Sequence, residues 1–195
     1  MLSNIEVDSL TVNYTSKNHS FTALEDVSFS IEAGEFVSII GSSGCGKSTL
    51  LSILEGINTP TKGEIRIDGK PINGTGTDRG VVFQHYSLFP WMTARKNIAF
   101  GIKQVKKDLS KSERLNIADK FLDKVGLEEF KDKYPSQLSG GMQQRVAIAR
   151  ALAKTPRVIF ADEPTGNLDE ANTMKIMSIL KKLSKDCLVV VVTHE

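Results

Sequence analysis

The chain has 195 residues, 40% of them hydrophobic and 25% charged, and its 25 Lys and Arg against 23 Asp and Glu leave a net charge of +2. That composition suits one globular domain, or a domain with a small insertion, and excludes a disordered tail, a fibrous repeat and a disulfide scaffold. So even a balance carries no overall electrostatic signature for nucleic acid or anionic lipid.

The opening third reads as strands. Ile5, Val7, Leu10 and Val12 fall on mostly alternate positions, and Val27, Phe29 and Ile31 alternate with polar neighbours. After an Ala33-Gly34 turn, residues 35–40 form a mostly apolar run of strand length that leads straight into a glycine-rich loop. Leu50, Leu51, Ile53 and Leu54 then cluster as on a buried helix, closed by Gly56. Strand, glycine loop and helix in that order are what an α/β nucleotide-binding core requires. Residues 63–69 alternate and end in an Asp-Gly turn, a strand of an antiparallel portion. Val81, Val82 and Phe83 predict a short buried strand.

From about 93 to 155 the texture changes to helices. Ser110 and Glu113 make a capping box, and Ile117, Ala118, Phe121, Leu122 and Val125 recur at helical spacing until Gly126. This predicts a helical subdomain inserted between two strand-rich halves. A strand returns at 157–162, a helix carries Met174, Met177, Leu180 and Leu183, and the last strand is 188–192.

Three stretches carry chemistry. Gly41, Ser42, Ser43, Gly44, Cys45, Gly46, Lys47, Ser48 and Thr49 form a P-loop, whose inward-turned N–H groups cradle phosphate oxygens at a helix N-terminus. Lys47 is expected on the β- and γ-phosphates and the Ser48 hydroxyl on Mg²⁺. An accidental match to this pattern arises in roughly one chain in a hundred or fewer, and the strand-before, helix-after context argues further for phosphate binding. Asp162 and Glu163 close an apolar strand beside that loop, where Asp162 can join the Mg²⁺ shell and Glu163 can orient or deprotonate an attacking water. Alone, such a carboxylate pair is more simply a solubilising strand end; the P-loop upstream reverses that balance. The segment 138–145, LSGGMQQR, reads as a second helix N-terminus built from Ser139, Gly140 and Gly141, with Val146, Ala149, Leu152 and Ala153 behind it on one face. An ordinary N-cap explains Ser-Gly-Gly by itself; a second phosphate-facing helix makes sense where another copy's nucleotide docks against it.

With these motifs the chain resembles, from end to end, the ATP-binding subunit of ATP-binding cassette (ABC) transporters of bacteria. Residues 41–49 match the Walker A motif, 138–145 the signature and 158–163 the Walker B motif. Gln84 stands at the Q-loop, Leu168-Asp169 at the D-loop and Thr193-His194 at the switch histidine; Tyr14 lies where an aromatic ring stacks on adenine. The resemblance implies a P-loop NTPase (RecA-like) core with an N-terminal antiparallel β portion and an inserted helical subdomain. It implies a head-to-tail dimer of two copies enclosing ATP and Mg²⁺, with Ser139 and Gly141 of one copy facing the γ-phosphate held by Lys47 of the other. Glu163 is then the catalytic base, His194 a γ-phosphate contact, and Gln84 a link from Mg²⁺ and water to the transport partner, with Gln84 beside Ser48 and Asp162 in the metal shell. Outside these roles, Tyr14, Gln84 and His194 would be ordinary packing or exposed residues, and Cys45 is tolerated filler at a variable loop position.

Residues 83–93, with Pro90-Trp91, resemble nitrate, sulfonate and taurine importer ATPases, whereas 163–169 look more like the lipoprotein-release and macrolide-export group. The Pro-Trp segment carries more weight, since it lies where a permease's coupling helix would dock. Phe89, Trp91 and Met92 are therefore either a docking groove or the core of the helical insertion. The expected function is an ATPase subunit that energises solute transport by membrane permease subunits on the cytoplasmic side of the membrane, with a solute-binding protein acting only indirectly and no nucleic-acid partner. The alternatives are an export-type ATPase and a binding-only cassette. DNA-repair or translation cassettes carry long coiled coils or paired cassettes, and a P-loop kinase has no use for 138–145.

The longest apolar stretches fall short of the roughly 20 residues of a membrane span, and the opening MLSNIEVDSL lacks a secretory pattern. Cys45 and Cys187 are far apart in sequence, which favours free thiols. Relative to the family the chain is short past His194, so residues 188–192 are expected to lack the neighbours that later strands supply, which puts the placing of His194 and the ATPase activity in doubt.

Overall fold

The computed structural model describes residues 3–16 and 19–194. Met1 and Leu2, at the head of the opening segment, and Glu195, where the sequence stops, lie outside the described residues, as do Lys17 and Asn18.

Two four-stranded sheets enclose one helix. The first is antiparallel and is built from β1 (Ile5–Ser16), β2 (His19–Ile31), β4 (Lys62–Ile67) and β5 (Lys70–Pro71), in the order β2-β1-β4-β5. The uneven alternation of β1 has a local cause. Ser9 takes a left-handed backbone (φ 49°) and the register with β2 shifts between Val7 and Leu10, so one extra residue moves the inward-facing set from odd to even positions. Ile5, Val7, Leu10 and Val12 are consequently all buried.

The second sheet is parallel: β3 (Phe36–Ile40), β6 (Arg79–Val82), β7 (Val158–Asp162) and β8 (Leu188–Thr193), in the order β3-β8-β7-β6. β8 therefore sits inside the sheet with the earlier strands β3 and β7 on its two sides, so the expected lack of later strands leaves neither edge of it unpaired. Crossover connections return later strands beside earlier ones, so the valine run of β8 finds both partners upstream. Its residues 188–192 are buried on both faces, as a covered parallel sheet requires. Among the strand expectations, Phe83 is corrected: β6 ends at Val82 and Phe83 is exposed.

Helix α1 (Lys47–Leu54) packs its Leu50, Leu51, Ile53 and Leu54 between the two sheets, against Leu10, Phe160 and Val190. The other face of the parallel sheet is covered by α4 (Gly140–Leu152) and α5 (Glu170–Leu183). On α5 Ile176 and Leu180 are buried and Met177 and Leu183 pack against the same cluster; of the four residues expected on that face only Met174 is exposed. Between β6 and β7 the chain forms α2 (Ala94–Val105), α3 (Lys111–Lys124) and α4, joined by an apolar cluster including Ile98, Ile102, Leu122 and Val146. Ser110 and Glu113 close the capping box at the head of α3. Among the described residues no helix is long and apolar enough to cross a membrane.

Candidate nucleotide site

The P-loop is positioned by the strand before it and the helix after it. β3 ends at Ile40, the loop turns through Gly44 and Gly46, and α1 starts at Lys47. Gly46 is the N-cap with φ 98°, and no side chain caps the helix, so no side chain competes for its first N–H groups. Glycine is required there twice over: the left-handed backbone disfavours a side chain, and a Cβ would lie 2.6 Å from the Ala23 carbonyl oxygen. The Lys47 Nζ donates to the carbonyls of Gly41 (2.7 Å) and Ser42 (2.8 Å), which hold the ammonium at the loop mouth. Cys45 is exposed, its thiol 3.9 Å from that ammonium.

A cleft of about 200 Å³ opens over this loop, with Ser43, Lys47 and Ser48 on one wall and Glu163 on another. Its third wall is aromatic. Tyr14 and Phe21 are direct cross-strand partners on β1 and β2, and both are exposed. These exposed rings give the cleft a flat apolar wall beside the P-loop. Phe21 was missed from sequence, because only the hairpin register brings it opposite Tyr14.

The carboxylates arrive on β7. Val158, Ile159, Phe160 and Ala161 are buried, and Asp162, half-buried, ends the strand opposite Val192 of β8. Burial, and then the neighbouring Glu163 charge, push the Asp162 carboxyl above its ordinary range, while the Lys47 ammonium opposes them. Glu163 occupies a left-handed conformation (φ 41°), uncommon for a residue with a side chain and pinned by its N–H donating to the Val192 carbonyl (2.8 Å). That turn swings the carboxylate out of the strand line and into the cleft. His194, one residue past β8, places Nδ1 3.1 Å from Glu163 Oε1, so the central position of β8 answers the doubt about where this histidine sits. Gln84, two residues past β6, sets its amide nitrogen beside Gly166, where a Cβ would lie 2.9 Å from Gln84 Nε2 and 3.5 Å from Glu163 Oε2.

Among the described residues no group of three or more His, Cys, Asp or Glu could hold a metal alone. The donors present, a hydroxyl at Ser48 and a carboxylate at Asp162, are hard oxygen ligands of the kind that would hold Mg²⁺ together with a bound phosphate.

The second glycine-rich helix start lies elsewhere. Ser139 caps α4, its hydroxyl accepting from the Met142 N–H (3.4 Å). Gly140 and Gly141 are closely packed: a Cβ would lie 2.6 Å from the Tyr86 hydroxyl at the first and 2.5 Å from Asn172 Oδ1 at the second, so a larger residue would require those side chains to move. Asn172 is in turn bound by Asp169, the N-cap of α5, whose carboxylate these hydrogen bonds hold below its ordinary range. None of Ser139, Gly140, Gly141 or Asp169 lines the P-loop cleft. Gln144, fully buried on α4, donates to the carbonyls of Pro164 (2.8 Å) and Phe83 (3.3 Å) and so ties this helix to the segments bearing Glu163 and Gln84. Sequence reading missed it, since a buried glutamine has no periodicity of its own.

A groove of about 400 Å³ is walled by Phe83, next to Gln84 in the chain, and by Phe89, Phe100 and Arg150. Of the three residues expected there, only Phe89 lines it. Met92 is half-buried outside it, and Trp91 is exposed beside Phe89, with ring centroids 5.5 Å apart.

Comparison with known proteins agrees with this geometry. Residues 24–166 match the model of the family described as ABC transporter. The nitrate import ATP-binding protein NrtD of Synechocystis sp. is 47% identical over 98% of this chain and 72% of its own length. The taurine import ATP-binding protein TauB of Roseobacter denitrificans is 43% identical over 99% of this chain and 72% of its own length. A solved dimer of the ATP-binding cassette MJ0796, in a post-hydrolysis state bound to ADP and Pi, superposes with a TM-score of 0.87 at 42% identity, covering 98% of this chain and 88% of that one. The chain belongs to the ABC transporter family, as one of its ATPase cassettes.

Proposed function

We propose that this cassette binds ATP with Mg²⁺ at the P-loop cleft and hydrolyses it as a pair of copies to drive solute import through a membrane permease. One observation carries the reading: Lys47, Ser48 and Glu163 converge on one cleft beneath an exposed aromatic pair, with Asp162 close enough to feel the Lys47 charge. When bound, Mg²⁺ offsets phosphate charge between Ser48 and Asp162. The loop N–H groups and Lys47 hold the triphosphate and stabilise the charge spreading over the γ-phosphoryl oxygens. Glu163 accepts the proton of a water attacking the γ-phosphorus in line, ADP leaves, and phosphate is released. His194, against Glu163, positions that carboxylate, and Gln84, its amide nitrogen beside Gly166, positions the water.

The Ser139 helix tip has no part in its own cleft, which supports a role against the nucleotide of a second copy; the MJ0796 cassette is a dimer in its ADP- and Pi-bound form. Helices α2–α4, about residues 93–155, act as one subdomain carrying that tip. The groove at Phe83, Phe89 and Phe100 receives the permease, which places the chain on the cytoplasmic face of the membrane. Likeness to nitrate and taurine import proteins favours import of a small oxyanion or sulfonate over export.

The test is phosphate release and nucleotide binding by the purified chain and its Lys47→Ala variant. The variant is expected to lose about 100-fold in ATP affinity, in line with removal of charge-assisted phosphate contacts, with turnover falling alongside. Unchanged binding and turnover would remove the P-loop from the mechanism.

A further inference from the structure

The near-neutral charge of the chain conceals a division. Residues 93–155 carry 14 Lys and Arg against 7 Asp and Glu, a net +7, whereas the remainder carries 11 against 16, a net −5. The overall balance therefore describes neither part.

Within the basic segment two helices differ. α3 interleaves its signs, with Lys111, Glu113, Arg114, Asp119, Lys120, Asp123 and Lys124, the pattern of a solvated face. α2 has no acidic residue. Its Arg95 is spoken for by Asp119 and Asp132 of neighbouring elements. Lys96 and Lys103 remain exposed, with no ion-pair partner among the described residues. At 100° per residue Lys96, Phe100 and Lys103 fall within one narrow stripe, and the chain leaves its end through exposed Lys106 and Lys107.

Aromatic rings stand in the same stripe. Phe100 is partly exposed, and its ring lies 4.7 Å from that of Phe89, which in turn stacks near Trp91. Trp91 is 69% exposed on a loop that is firmly built: Asn97, fully buried, accepts from the Phe89 N–H and donates to the carbonyls of Phe89, Met92 and Thr93. An exposed indole on a rigid loop, next to lysines without counter-charges, combines an amphipathic ring with a polybasic surface. Those are the two features that seat a protein in the headgroup layer of an anionic membrane.

We infer that the surface formed by Trp91, Lys96, Lys103, Lys106 and Lys107, at the rim of the Phe100 groove, rests on anionic lipid headgroups. The contact is peripheral, with Trp91 at headgroup depth and the ammonium groups near phosphate charge. It lies beside the groove at Phe89 and Phe100, so a subunit held this way presents that groove toward the bilayer. The inference does not depend on the nucleotide reading, because vesicle binding needs no ATP.

The purified chain is mixed with phosphatidylcholine vesicles prepared with and without phosphatidylglycerol. Binding is read by co-sedimentation and by the emission of Trp91, the single tryptophan of the chain. The expected result is binding and a blue shift only with phosphatidylglycerol, weakening as salt shortens the Debye length to about 10 Å and below. Converting Lys96, Lys103, Lys106 and Lys107 together to Gln is expected to lower partitioning at least about tenfold, given roughly fivefold per lysine near such a surface. Converting Lys111, Lys120 and Lys124 to Gln on α3 is expected to leave most of the binding intact, and basal ATPase activity is expected to persist in both variants. Equal binding to both vesicle types, no binding to either, or equal losses from the α2 and α3 variants would overturn the assignment. Retention only by an acidic protein, with vesicles ignored, would overturn it too.

Discussion

Two helix N-termini in this molecule are built from serine and glycine, and they differ in what they leave open. α1 begins at Gly46 with no side-chain cap, and its loop faces a cleft shared with Glu163 and two exposed rings. α4 begins at Ser139, whose hydroxyl already accepts from Met142, and its glycines are wedged against Tyr86 and Asn172. The first end opens, within a single copy, onto a cleft that Lys47, Ser48 and Glu163 line. The second exposes Ser139 but buries Gly141, and none of its residues lines the P-loop cleft. Glycine thus serves conformation and anion binding in one place, and close packing in the other.

The largest expected effect lies in the first site. Glu163→Gln is expected to reduce phosphate release by about 10²- to 10⁴-fold, the range for a positioned general base, while ATP still binds and pairing of copies becomes more persistent by size-exclusion with light scattering. Wild-type turnover in that variant would leave the cleft without its base. Ser139→Arg tests the second end. It is expected to abolish turnover by obstructing the tip, while equilibrium ATP binding to the isolated chain stays within a few-fold of wild type; lost binding in the monomer would make the tip part of its own cleft.

The far end of α1 supplies a third test. Glu55, the C-cap, is only 6% exposed, and burial followed by the Asp162 charge raises its carboxyl to about 7. Below the unfolded value near 4.5 the group is protonated whether or not the chain is folded, and costs nothing. Between there and about 7 the unfolded chain ionises while the folded one keeps its proton, so stability falls as pH rises. Above pH 7 the cost is complete, on the order of 3 kcal/mol. Glu55→Gln is therefore expected to raise the melting temperature at pH 8 and leave it unchanged at pH 4; equal effects at both would place the carboxyl in water. The smallest effect is at the aromatic wall. Replacing Tyr14 and Phe21 together by Ala is expected to raise the KM for ATP by roughly 5- to 100-fold, as loss of about 1–3 kcal/mol of base stacking implies, with kcat nearly unaltered.

Much of the first site was legible because its parts are contiguous: a loop between a strand and a helix, and two carboxylates ending an apolar strand. What escaped depends on residues distant in sequence. Phe21 joins the site only through the β1–β2 register, and Gln144 only through the carbonyls of Phe83 and Pro164. Met174 misled because methionine tolerates water at a position where Ile176 takes the core. The flanking of β8 by two earlier strands went unread because a parallel sheet orders its strands by crossovers and not by sequence.

That order shapes how the protein comes into being. β3, bearing the phosphate loop, and β7, bearing the carboxylates, never touch as strands; each is hydrogen-bonded to β8, the latest of the described strands to leave the ribosome. Until that valine ribbon threads between them, the two halves of the chemistry have no common ruler. A nascent chain halted before residue 188 is accordingly expected to hold neither nucleotide nor a protease-resistant core, with assembly arriving late and all at once.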